Sequence, residues 1–290
     1  MTLCRELLAE MSETFIFQSL SAMGTMCRMF AVLSVDPVNA SQYLSEAECS
    51  LYQQARRGNQ SDGCGIGYYE DGRLNLLRSE KAIWDDDDFV RQSSRVVSDM
   101  FIAHVRKASN PKNLPREVLI SEANSQPFRH DKFLFVHNGT LFIPDQVTHE
   151  LGDYRSVLNG VNDSEVLFAF LLQTIEKSGS IEEGFRQLEP KLWSIHRRSG
   201  STWTTPYRGL NIMLSDGKAL YAYEKYIGDC GESICSNTPV FELQYFVTDS
   251  QIVVASERMT ESTWRAMPNG ALLKANVKDG RVLHEMQVLS

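Results

Sequence analysis

The chain has 290 residues, 42% of them hydrophobic and 23% charged, enough for one large domain or two small ones with a substantial core. A formal charge of −8 and a pI near 5.3, with the basic residues scattered rather than striped, argue against a nucleic-acid partner. The longest apolar runs, such as Val166–Leu172, fall far short of the roughly 20 residues that span a bilayer. The first 26 residues carry Glu6, Glu10 and Glu13 and lack a basic flank before an apolar stretch, so the chain reads as cytoplasmic, without a membrane partner.

In chain order, Leu3–Met11 can form a helix ahead of the first strand-like run, Cys27–Ser34. One helix is expected over Ala40–Arg57, followed by short β-type runs at Gly65–Tyr69, Leu74–Arg78, Phe101–Arg106 and Phe133–His137, separated by turn residues. The acidic run Asp85–Asp88 reads as a solvated loop or a helix start. Asn162 or Asp163 can cap a helix that runs through Lys177 to Gly179. Ser180 and Glu183 have capping-box spacing for a second, reaching about Arg198. Val166, Phe170 and Ile175, then Phe185, Leu188, Leu192 and Ile195, recur at helical intervals and can cover one face of a sheet.

Strands return at Leu210–Leu214, Ala219–Tyr226, Leu243–Val247, Ile252–Ser256, Ala271–Ala275 and Val282–Val288, with hairpin signals in SDGKAL and NVKDGRV. Strands, then helices, then strands predict an α+β layered domain. Six cysteines without a CxxC pair make a disulfide framework and a structural zinc site weak readings, and no metal ligand set is assigned. DGCGIGYY is glycine-rich but lacks the spacing of a phosphate loop.

Cys27 directly follows Met26, and a cysteine at the start of a chain carries a thiol and an amine that can take the thiol proton. The series CRMFAVLS, SDGCGIGYY, AHVRKAS, NSQPF, VHNGTL and NDSEVLFAFLL, in that order and spacing, resembles the class II glutamine amidotransferases, which are N-terminal nucleophile hydrolases. Together with ASERMTESTWRAMPNGALL it is most similar to their stand-alone branch, related to the γ-glutamyl hydrolase of ergothioneine biosynthesis and the amidotransferase-like subunit of fungal glutathione degradation. The resemblance covers nearly everything from Cys27 onward.

That resemblance implies a four-layer αββα sandwich of two antiparallel sheets over residues 27–290, preceded by a leader, residues 1–26, absent from the mature enzyme. Either Met26 is the true initiator or a propeptide is removed autocatalytically. It implies Cys27 as nucleophile, Asn138 and Gly139 as the oxyanion hole, and Arg106 with Asp163 as a clamp for the substrate's α-carboxylate and α-ammonium groups. His104, two residues before Arg106, shares its strand face and is a candidate for shaping the same site, with a core histidine as the alternative. Asp163 has a second reading as a helix cap, which Asn162 could relieve. Cys64 stands where relatives typically have tryptophan and Gln126 where histidine is usual, both near the expected pocket, so they bear on the particular substrate.

The expected reaction is hydrolysis of the γ-amide of glutamine or a γ-glutamyl compound through a Cys27 thioester, with no cofactor. A separate ammonia-accepting protein is one possible partner, and a homo-oligomer is left open. The alternative is a non-catalytic glutamine-binding or scaffold module that keeps its leader and leaves Cys27 internal.

Overall fold

The computed structural model describes residues 26–228 and 231–289. The helix expected over Leu3–Met11 lies outside the described residues, as do Cys4 and Cys230.

Strand β1 (Arg28–Asn39) is apolar on both faces because both are covered. Met29, Ala31 and Leu33 enter one core while Phe30 and Val32 enter another, the period-two alternation of a pleated strand. It lies inside a seven-stranded sheet in the order β11-β9-β10-β1-β4-β2-β3. Those neighbours are β2 (Cys64–Glu70), β3 (Arg73–Ser79), β4 (Val97–Val105), β9 (Gln244–Val247), β10 (Gln251–Ala255) and β11 (Arg265–Ala266). The second sheet has six strands in the order β13-β12-β8-β7-β6-β5. It comprises β5 (Phe128–His130), β6 (Phe133–Asn138), β7 (Asn211–Ser215), β8 (Ala219–Tyr223), β12 (Ala271–Lys278) and β13 (Arg281–Val288). Every pairing in both sheets is antiparallel.

The helices are α1 (Leu51–Gly58), α2 (Asp87–Ser93), α3 (Arg116–Leu119), α4 (Pro144–His149), α5 (Asp163–Ser178) and α6 (Ile181–Arg198). Three cores give the layers. Side chains of α5 and α6 pack on Phe135, Ile212, Leu214 and Tyr223 of the second sheet. The inner faces of the two sheets meet through Met29, Ile102, Val136 and Met213. Leu51 and Ala55 of α1 pack on Phe30, Ile66 and Phe101 at the outer face of the first sheet. The domain is the expected four-layer αββα sandwich.

Capping chemistry sets the helix boundaries. Asn162 Oδ1 accepts the Ser164 N–H at 2.8 Å, and α5 ends at Gly179 with φ 79°. Ser180 Oγ accepts the Glu183 N–H at 3.1 Å and starts α6. Asp86 accepts the Phe89 N–H at 2.9 Å, so the acidic run is a helix start. The single helix expected over Ala40–Arg57 is two pieces, a π-helical turn at Gln42–Glu46 and then α1. Ser50 is extended and its side chain accepts from Gln53 N–H, which begins a new helix instead of continuing the old one.

Candidate active site

Strand alternation carries the site residues to one edge of the layer between the sheets. Cys27 precedes β1 and continues the inward row of Met29 and Ala31; across the register, Arg28 pairs with Val105 and Met29 with His104. His104 and Arg106 extend the inward row of Met100 and Ile102, and Asn138 ends β6 on the row of Leu134 and Val136. Asp163 opens α5, close enough for its charge to act on both Cys27 and Arg106.

The Cys27 thiol is nearly enclosed, 8% exposed, with Sγ 3.3 Å from the Lys107 N–H and 3.3 Å from the Lys107 carbonyl. Burial pushes it up to about 11, against the pull of the Lys107 N–H and the Arg106 and Arg28 charges. With Met26 attached, Cys27 has a peptide nitrogen and its thiol stays protonated at neutral pH.

Arg106 is buried and donates from Nη1 to the carbonyls of Leu119 at 2.8 Å and Asp62 at 3.3 Å. Asp163 accepts the Leu141 N–H at 2.8 Å and the Ser109 hydroxyl at 2.9 Å. Because Asn162 makes the cap, the second reading of Asp163, as a helix cap, does not hold. Asn138 is fully buried and, among the described residues, neither side-chain amide atom has a hydrogen-bond partner. A carboxamide in that state is a donor awaiting an acceptor.

Gly139 sits where no side chain fits. A Cβ there would lie 2.1 Å from the Gly209 carbonyl oxygen and 2.7 Å from His137 Nε2. His104 is fully buried, and burial, with the charges of Arg106 and His137 adding, lowers it to about 3. It is a neutral imidazole beside Arg106. His137 lies on the helix side of β6, its ring nitrogens 2.9 Å from Ser164 Oγ and 2.9 Å from the Gly209 carbonyl.

The two departures from the resembled pattern resolve differently. Gln126 grips His137 by its peptide, accepting its N–H at 2.6 Å and donating to its carbonyl at 3.0 Å, so it positions the strand end that carries Asn138. Cys64 sits in the core between the first sheet and α1, not in the pocket. Its alternation with Gly65 puts it on the outer face, and burial pushes its thiol well above the ordinary range.

Sequence reasoning missed Asp62, Gln60 and the Arg28–Glu257 pair. Asp62 accepts the Ala108 N–H at 2.9 Å and Arg116 Nη2 at 2.6 Å, holding the loop just after Arg106. Burial raises its carboxyl, but those bonds and the Lys107 charge outweigh it and hold the pKa below the ordinary value. Its signal was its place in SDG, where glycine had drawn attention instead. Arg28 and Glu257 form a buried ion pair at 3.1 Å, and Glu257 also accepts the Ile234 and Cys235 N–H groups at 2.6 and 3.1 Å.

A disulfide joins Cys49 to Cys235, 186 residues apart, which corrects the weak reading of disulfides from spacing. Spacing could not show that the fold brings Cys235 to Cys49, just ahead of α1. The bond borders a surface cavity of about 400 Å³ with Arg57, Arg258 and Trp264. Glu257 approaches the two sulfurs, but they are bonded to each other and its carboxylate is occupied by Arg28 and the two N–H groups. Among the described residues no helix is long and apolar enough to cross a membrane.

Comparison with known proteins places this geometry. The family model for class II glutamine amidotransferases matches residues 26–235. An uncharacterized protein of Methanocaldococcus jannaschii is 26% identical, covering 91% of this chain and 73% of its own length. A Saccharomyces cerevisiae protein named probable glutamine amidotransferase DUG3 is 25% identical over 82% of this chain, a match that spans 65% of the yeast protein. In fold, the chain is similar to a glutamine aminotransferase class-II domain protein from Silicibacter pomeroyi, at TM-score 0.62 and 20% identity, over 89% of this chain and 98% of that one. It is also similar to the glutamine phosphoribosylpyrophosphate amidotransferase of B. subtilis, at TM-score 0.58 and 18% identity, over 91% of this chain but 49% of that longer one. With the family model matched across most of its length, the chain belongs to the class II glutamine amidotransferases.

Proposed function

We propose that this enzyme hydrolyses the γ-amide of glutamine or of a γ-glutamyl compound through a thioester on Cys27, once residues 1–26 are removed. The observation that carries the reading is the setting of the Cys27 thiol: buried at the Lys107 peptide, within the fields of Arg106 and Asp163. A cation and an anion that both act on a nucleophile suit the α-carboxylate and α-ammonium groups of one amino acid.

Removal of Met26 turns the Cys27 nitrogen into an amine, whose ordinary pKa of about 8 lets it accept the thiol proton near neutral pH. The thiolate attacks the γ-carbonyl carbon, and the carbonyl oxygen becomes negative. Asn138 Nδ2, which lacks a partner among the described residues, and the Gly139 N–H are the donors for that oxygen. Each such donor contributes about 3 kcal/mol in comparable sites. The C–N bond then breaks, with the leaving nitrogen taking the proton held by the Cys27 ammonium group. Water gives a proton to the same amine as it attacks the thioester, and glutamate leaves as the thiol is restored. The nitrogen product is ammonia for glutamine, passed to a separate acceptor or released, and an amine for a γ-glutamyl amide.

The chain that keeps Met26 has neither the base nor a thiolate, so removal of the leader and activity should appear together. The test is intact mass and N-terminal sequencing of protein from its native host, with a glutaminase assay and labelling by a glutamine-like diazoketone. A chain beginning at Cys27, labelled there and releasing glutamate, is expected. A chain that retains Met26 and stays inert overturns the proposal and favours a binding module.

A further inference from the structure

We infer that Gln60 is a positioning residue for the reaction, holding the α-amine of Cys27 in the processed enzyme through its side-chain carbonyl. The inference rests on the reading of Cys27 as an N-terminal nucleophile and names a group that this reading leaves unassigned.

Gln60 is fully buried just beyond α1. Its backbone N–H donates to the Ala55 carbonyl at 3.0 Å, and Asn59 before it has φ 53°, which turns the chain back on the helix. The side chain folds over Gly58. A Cβ on Gly58 would lie 2.3 Å from Gln60 Nε2 and 2.8 Å from Oε1, so the missing side chain at 58 makes the room for this carboxamide. Nε2 donates to the Met26 carbonyl at 2.9 Å, while Oε1 is buried and has no hydrogen-bond partner among the described residues.

The Met26 oxygen and the Cys27 nitrogen are bonded to the same carbon and stand about 2.3 Å apart by standard peptide dimensions. Cleavage of that bond removes the acceptor of Nε2 and leaves, at nearly the same place, an amine with N–H groups to donate. A buried carboxamide with both ends unsatisfied is costly. A half-turn of the terminal amide, whose nitrogen and oxygen are nearly equal in size, brings Oε1 to the amine. An acceptor there fixes the N–H bonds of the amine and so the direction of its lone pair, which must point at Sγ to take the thiol proton. Arg28 Nη1, which donates to the Met26 carbonyl at 3.2 Å and the Cys27 carbonyl at 3.0 Å, keeps a cation close by. A cation disfavours the ammonium form, and a neutral carboxamide orients the amine without restoring it.

The test uses the full chain with glutamine as substrate, comparing wild type with Gln60→Glu, Gln60→Asn and Gln60→Leu, each checked by intact mass for a Cys27 terminus. In Gln60→Glu a carboxylate holds the amine in its charged form, so the rising limb of kcat/KM against pH should move up by a unit or more. Gln60→Leu should lower kcat at least tenfold with KM within about twofold, and Gln60→Asn should recover part of the loss. A processed Gln60→Glu enzyme with the wild-type pH profile overturns the inference, as does a Gln60→Glu chain that keeps Met26 or a Gln60→Leu effect confined to KM. Wild type that is itself unprocessed and inert overturns the nucleophile reading and this inference together, whereas a processed, active wild type with unmoved variants removes Gln60 alone.

Discussion

Gln126 holds His137 by both sides of its peptide, accepting its N–H at 2.6 Å and donating to its carbonyl at 3.0 Å. The pair is buried, and the next residue is Asn138. Gln126→Ala leaves two backbone groups at the end of β6 without partners, at a cost of about 1–3 kcal/mol for each unsatisfied group. The expected result is a lower urea midpoint with kcat reduced at least tenfold and KM changed less, because Asn138 is displaced rather than the α-group clamp. An unchanged kcat in a folded variant would show that this strand end is held by other contacts.

Arg28 and Glu257 are side chains of about 1% and 0% exposure, paired at 3.1 Å. Removing one partner strands a buried charge, so Arg28→Met and Glu257→Gln should each destabilise the chain by about 3–5 kcal/mol. The double variant should lose less than the sum of the two. It should still fall below wild type, because Ile234 and Cys235 donate to different Glu257 oxygens and a glutamine amide keeps only one of them as an acceptor. Urea unfolding of the four proteins, wild type included, reads the coupling, and strict additivity would deny the pair.

Cys49 and Cys235 close a loop of 186 residues in sequence separation. In the chain-entropy description a loop of this length is worth up to about 5 kcal/mol. Cys49→Ser with Cys235→Ser should unfold at lower temperature than oxidised wild type, and dithiothreitol should bring wild type down to the variant. If reductant leaves wild-type unfolding unmoved, the bond does not form in solution.

Stability should also fall in mild acid on account of histidine. Burial, with help from Arg106 and His137, lowers His104 from an ordinary 6.5 to about 3, and burial lowers His137 as well. The unfolded chain takes up a proton at each imidazole below about pH 6.5, whereas folded His104 resists until about pH 3. Stability from His104 is therefore complete above pH 6.5 and lost as the pH falls toward 3, with a slope of up to about 1.4 kcal/mol per pH unit. His104→Asn should flatten the dependence of the urea midpoint between pH 7 and 4.5 by up to one proton, leaving the contribution of His137. An identical slope in the variant would mean that His104 titrates normally.

Much of the fold was legible because it is written in local patterns. The apolar strand-like run in CRMFAVLS, the caps at Asn162 and Ser180, and the turns at Asp216–Gly217 and Asp279–Gly280 each depend on residues a few positions apart. The break before α1 was missed because Ser50, a good cap, lies within a run that keeps helical periodicity on both sides. At the site, Cys27, Arg106, Asn138, Gly139 and Asp163 were named through the resemblance of their motifs to one family, and the structure sets Arg106 and Asp163 within electrostatic reach of Cys27.

What supports those residues was decided only by tertiary structure. Arg28 finds Glu257 across 229 positions, Cys49 finds Cys235 across 186, and Gln60 finds the Met26 carbonyl across 34. That no side chain fits at Gly139 is due to the Gly209 backbone beside it, which no local pattern brings there. The sequence by itself determined most of the strands and the long helices, because backbone propensity, capping and side-chain periodicity act over a few residues. Register and layer packing determined which buried polar groups meet, because a hydrogen bond depends on distances between segments that sequence separation does not encode.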